Sequence, residues 1–122
     1  MTSPQPKLVR WHTAELINPV IGVPKRPLSG SSTQTQTMNV FEGHAGKASA
    51  GVWQATAGTF RSDTTGYIEF CHIVEGSCRV VDPDGTVHAL KAGDPFVMPE
   101  GYKGHWEVDE FVKKVYFVAV TA

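Results

Sequence analysis

The stretch Gly66 to Gly104, GYIEFCHIVEGSCRVVDPDGTVHALKAGDPFVMPEGYKG, decides the fold. Tyr67 to Val74 reads as a strand, Glu75-Gly76 as a two-residue turn and Ser77 to Val81 as the antiparallel partner. Asp82-Pro83-Asp84-Gly85 supplies a second tight turn, so the chain meanders. Thr86 to Leu90 continues as a strand, and Gly93-Asp94 turns into the short apolar run Phe96 to Met98. Pro99 stops that run, because proline cannot donate to a ladder.

With Glu75-Gly76 as the turn, Ile73 stands opposite Cys78 and Cys71 opposite Val80. One face then carries Tyr67, Glu69, Cys71, Ile73, Cys78 and Val80, and the other Ile68, Phe70, His72, Val74, Ser77, Arg79 and Val81. Both faces are largely apolar, which predicts that one lines a barrel interior and the other is covered by an arm or a second subunit. Glu69 is the odd residue on the inner face. An ionised carboxylate among Tyr, Cys, Ile and Val is costly to bury without a cation or several donors, so it marks either a polar site or a rim salt bridge.

Outward from this block, Met38 to Ser62 contains short β-prone pieces bounded by glycine, and Gly104 to Asp109 alternates. That alternation puts Trp106 and Val108 on one face and His105, Glu107 and Asp109 on the other. Phe111 to Val120 reads as a long closing strand, and no segment has the period of an amphipathic helix. The expectation is an all-β domain of about eight to eleven short strands, closed as a barrel or roll to remove exposed edges. The run from Asn18 to Thr37, dense in Pro, Ser, Thr and Gly, reads as an arm, which divides the chain into an arm over 1–37 and a barrel over 38–122.

A chain of 122 residues supports one core. Net charge is −1, with no basic cluster beyond Lys25-Arg26 and Lys113-Lys114, so the electrostatic footprint that nucleic acid demands is missing. MTSPQPK has no apolar core of signal-peptide type, and the longest strongly apolar run, Val115 to Val120, is far short of a membrane span. A cytoplasmic protein with no membrane partner is expected. Two cysteines, Cys71 and Cys78, are too few for a disulfide framework and are expected as free thiols.

GVWQATAGTFR, Glu69 with VEG, the DG turn, AGDPFVMPEGYKGHWEV and the closing FVKKVYFVAV together resemble the small single-domain cupins related to ureidoglycine aminohydrolase and the ethanolamine-utilisation cupins, over Val40 to Val120. The resemblance implies a single-domain cupin β-barrel of jelly-roll type and a homodimer. Metal-binding cupins place two histidines four and six residues before the glutamate of their first block, and one histidine three residues after the Pro-x-Gly of their second. The matching positions here are Thr65, Asp63 and Gly104, so only Glu69 remains, with His105 one residue out of place. No bound cofactor is expected; a divalent metal would need Asp63 to fold inward and a bulge to turn His105 into the barrel.

The expected site is a small-molecule pocket in the barrel mouth lined by Tyr67, Glu69, Cys71, Trp106, Trp53 and Tyr116. Aromatic walls supply area while the carboxylate of Glu69 fixes a cationic or hydrogen-bond-donating ligand and is the candidate general acid or base. The resemblance implies a small nitrogenous or carboxylated metabolite. Two alternatives stand beside this one: a non-catalytic ligand sensor, and a metal-dependent hydrolase of the ureidoglycine aminohydrolase kind.

Overall fold

The computed structural model describes residues 5–28 and 30–122. Among them are seven strands and no helix: β1 (Val20–Gly22), β2 (Thr35–Gly43), β3 (Ala48–Arg61), β4 (Tyr67–Val81), β5 (Val87–Lys91), β6 (Pro95–Met98) and β7 (His105–Val120). The sequence predicts eight to eleven short strands; instead three long ones, of 14, 15 and 16 residues, carry most of the pairing. The hairpin expected over Tyr67 to Val81 does not form. Those residues are one continuous strand that runs along β7, from Tyr67 opposite Val120 to Val81 opposite His105.

Glu75-Gly76 is therefore a bulge and not a turn, and its glycine shows why. Gly76 has φ 75°, and a Cβ there would collide with the carbonyl of Phe111. The position demands glycine for backbone contact as well as for conformation. The register of β4 against β7 shifts between Ile73 and Glu75 and again between Gly76 and Arg79, and that of β3 against β7 shifts between Thr56 and Gly58. Gly58 likewise has no room for a Cβ, which would meet the hydroxyl of Thr33.

At this level the sheet folds over. β2, the first half of β3, the second half of β7, the first half of β4 and β6 form one leaf; the remaining halves of β3, β7 and β4, with β5, form the other. Phe96 of the first leaf packs 5.8 Å from Trp106 of the second. Trp106 also lies 5.6 Å from Trp53 and 6.0 Å from Phe60, so one indole, 2% exposed, ties three strands across the interior. Aromatic pairs of this geometry add about 0.5–1.5 kcal/mol each beyond the area they bury.

The bulge also preserves the expected faces. Cys71, Ile73, Cys78 and Val80 are all buried on the inner side, because the extra residue near Gly76 reverses the alternation halfway along β4. Cys71 and Cys78 are free thiols, not diagonal neighbours across a hairpin. They stand seven residues apart on one strand, Cys71 opposite Tyr116 and Cys78 opposite Leu90, and no disulfide joins them.

The arm lies on its own barrel. β1 pairs with the start of β2, Val20 opposite Thr37, and Pro27 bridges to Phe60. Nζ of Lys113, on the outer face of β7, donates to the carbonyls of Thr13 at 2.8 Å and Ala14 at 3.4 Å. β2 begins at Thr35, inside the segment read from sequence as arm.

Gly76→Ala is expected to destabilise the protein by about 1–3 kcal/mol for left-handed backbone, plus the collision with Phe111. Gly85 has φ 93° and open space around its missing Cβ, so Gly85→Ala should show the conformational part alone. Urea unfolding of the two variants checks this, and equal losses would rule out the steric role of Gly76.

Candidate functional site

Inside the first leaf the cross-strand register stacks the inner side chains in rows. Trp53, Lys114 and Ile73 share one row; Gly51, Tyr116, Cys71 and Phe96 the next; Val118, Glu69 and Met98 the third. Lys114 is the residue sequence reasoning missed. Its side chain is 7% exposed, and its Nζ lies 2.6 Å from Glu69 Oε2. The ammonium also sits 4.7 Å from the Trp53 ring and 4.6 Å from that of Trp106, within cation–π range of both.

Burial alone would lower the Lys114 pKa. The Cys71 sulfur and the Glu69 carboxylate beside it outweigh that effect and hold the ammonium above its ordinary range. Lys114 is thus a fixed cation, not a nucleophile. The Cys71 thiol donates to the same Glu69 oxygen at 3.3 Å, and burial pushes its pKa up to about 12, so it stays a thiol. Among the described residues Glu69 Oε1 has no hydrogen-bond partner, and no buried side-chain oxygen or nitrogen is left unsatisfied. Oε1 is the acceptor this site still offers.

The structure brings Glu69, Cys71, Trp53 and Trp106 together around the ammonium. Tyr67 and Tyr116 are half-buried on the same inner face, and burial followed by the nearby Glu69 charge raises both phenols. Tyr116 lies across β3 to donate to Asn39 Oδ1 at 2.9 Å; a Cβ on Gly51 would crowd its hydroxyl. Tyr67 donates to the carbonyl of Asp63 at 3.1 Å. The apolar surroundings expected for Glu69 are interrupted by Lys114.

Asp63 and His105 do not approach Glu69. Asp63 Oδ1 accepts from the hydroxyl and the backbone N–H of Thr65, with Lys103 at 3.5 Å and Arg26 at 3.6 Å from its two oxygens. The Thr65 hydrogen bonds, chiefly, hold its carboxyl down at about 2. His105 keeps regular register opposite Arg61, with no bulge, and pairs with Glu107 at 3.1 Å on the outer face.

The sequence profile of the EutQ-like cupin domain matches residues 33–116. The chain belongs to this family. It is similar to the EutQ protein of Clostridium difficile at 20% identity, over 74% of this chain and 65% of that one, with a TM-score of 0.63. A protein of unknown function of the DUF861 family from Pseudomonas syringae pv. tomato matches at 24% identity over 88% of this chain and 46% of that one, with a TM-score of 0.74. A DUF861 family protein of Thermotoga maritima is 31% identical over 53% of this chain and 73% of its own, with a TM-score of 0.50. The chain thus spans 65% and 46% of the first two of these relatives. No curated protein matches it. The fold is that of a small cupin, an all-β barrel of jelly-roll type; the narrower link to ureidoglycine aminohydrolase rests on sequence resemblance alone.

The donor set of this cupin does not fit a divalent cation. Glu69 Oε2 is taken by an ammonium, and among the described residues no three His, Cys, Asp or Glu side chains converge on a common point. No helix among the described residues is long and apolar enough to cross a membrane.

Removing one member of a buried ion pair strands the other, so Lys114→Met is expected to cost about 3–5 kcal/mol, and Glu69→Gln with Lys114→Met together much less. The pH dependence has a definite sign. A lysine raised in the folded state stabilises fully below its ordinary 10.5 and loses that contribution as pH rises beyond it. The stability gap between wild type and Lys114→Met should therefore be flat from neutral pH to about pH 9 and close above pH 10.5. Chemical denaturation across that range measures it.

Proposed function

We propose that this cupin binds a small nitrogenous metabolite at the barrel mouth, with a hydrogen-bond-donating or cationic group on Glu69 Oε1 and without a tightly bound metal. One observation carries the reading: Glu69 is held in place through Oε2 by a buried, protonated Lys114, while Oε1 has no partner among the described residues. A carboxylate that is charge-balanced on one side and open on the other accepts a neutral ligand donor without burying a net charge. The half-buried rings of Tyr67, Tyr116 and Trp53 supply the flanking apolar area. Catalysis by Glu69 as general base would use the same open oxygen, and a non-catalytic sensor would use it as a clamp.

Thermal-shift screening of amines, amides and ureido compounds tests the binding. A stabilising metabolite should lose its effect in Glu69→Gln, and elemental analysis of the wild type should find well under one equivalent of zinc, manganese, iron or nickel. Retained stabilisation in Glu69→Gln would remove Glu69 from the site, and near-stoichiometric metal lost with Glu69 would restore the metal-dependent reading.

We also propose a homodimer through the outer face of the first leaf. Val97, Phe70 and Phe117 form one row across β6, β4 and β7 at 52%, 43% and 43% exposure, with Ile68 beside them. Val81, placed in this patch from sequence, is buried and drops out. A contiguous apolar row of this kind fits a self-complementary two-fold contact. Light scattering at micromolar concentration should give a dimer, and Phe70→Glu with Phe117→Glu a monomer.

A further inference from the structure

The two leaves part at one edge, because β5 and β6 each pair with β4 and not with one another. Between them lies a cavity of about 270 Å³, floored by Val80 and walled by Leu90, Phe96 and Met98. His88 stands across from Val80 in the β4–β5 ladder, so its imidazole shares the inner face with that buried valine. Three polar groups meet at this edge: His88 Nε2 lies 2.9 Å from Asp82 Oδ2, and the Tyr102 hydroxyl donates to Asp82 Oδ1 at 2.8 Å.

The direction of these protons decides what the cavity can hold. His88 first, and Tyr102 second, keep Asp82 below the ordinary carboxylate range, so the carboxylate only accepts. Nε2 of His88 must then carry the hydrogen of that contact. Tyr102 spends its only hydrogen on the same carboxylate and presents oxygen lone pairs. The Asp82 carboxylate and the Tyr102 oxygen are thereby left as acceptors.

We infer that this cavity is a second ligand site, separate from Glu69, that takes a small molecule with an apolar or aromatic body and a hydrogen-bond-donating head such as an amine. The volume falls just below the roughly 300 Å³ at which drug-sized sites begin, which suits a single ring with a short side chain. An anionic head meets the Tyr102 lone pairs and the Asp82 charge, and is rejected.

Two probes of the same body and opposite heads, 2-phenylethylamine and phenylacetate, are titrated into the full ¹⁵N-labelled chain and followed by amide shifts. The amine should perturb Leu90, Phe96 and Met98 first and bind at least about tenfold more tightly than the acid. Tyr102→Phe should weaken the amine several-fold, roughly the worth of one hydrogen bond. Glu69→Gln should leave it unchanged, which separates this site from the barrel mouth. Should Tyr102→Phe fail to fold, Asp82→Asn carries the same expectation. Equal binding of both probes, shifts centred on Glu69 and Lys114, unchanged affinity in the folded variant, or no localised shift by about 10 mM would each overturn the inference.

Discussion

The close approach of Gly76 to the backbone of Phe111 is the constraint on which the rest of the molecule rests. Where a side chain is impossible, β4 can bulge against β7 without leaving it, and the sheet folds instead of ending. The fold brings Phe96 of one leaf onto Trp106 of the other. It also turns the inner rows of β3, β4 and β7 toward a common interior, so that Lys114, Glu69, Trp53 and Trp106 share one space. A true hairpin at Glu75-Gly76 would have sent Cys78 and Val80 back alongside Ile73 and Cys71 and left Trp106 without its floor.

That difference marks how much the sequence made legible. The alternation along Tyr67 to Val81 correctly assigns the inner face, because it depends only on one parity change near Gly76, and a turn and a bulge both supply one. The two readings diverge only in what lies opposite, and Glu-Gly within an apolar run is equally good chemistry for either. Tertiary contact decided it: a glycine is needed here for the Phe111 carbonyl, which lies 35 residues away in sequence.

Lys114 was hidden for a related reason. Two adjacent lysines in a strand usually signal a wetted face, yet alternation forces Lys113 and Lys114 onto opposite sides of the sheet, and both are 6% exposed. Each is satisfied differently. Lys113 gives its protons to arm carbonyls and lies 3.5 Å from Glu75, whereas Lys114 has a carboxylate, a thiol and two indole faces. The visible clue was the pairing of one unexplained inner carboxylate with one inner lysine, each costly alone and affordable together.

An ammonium beside Glu69 also changes what the barrel interior presents. A divalent metal is an electron-pair acceptor, so a cupin that holds one draws ligand carboxylates, hydroxides and other lone-pair donors toward its centre. Lys114 directs its charge at Glu69 and at indole faces, and the oxygen left open is itself a lone-pair donor. The same scaffold position therefore presents a lone pair where a metal would present an empty orbital. The Asp82 edge follows the same logic by a different route, since His88 Nε2 and the Tyr102 hydroxyl each give a hydrogen bond to one carboxylate, and the carboxylate and the phenol oxygen are left as acceptors. In both places the chain's own hydrogen bonds, and not its net charge of −1, set which polar atoms are left open.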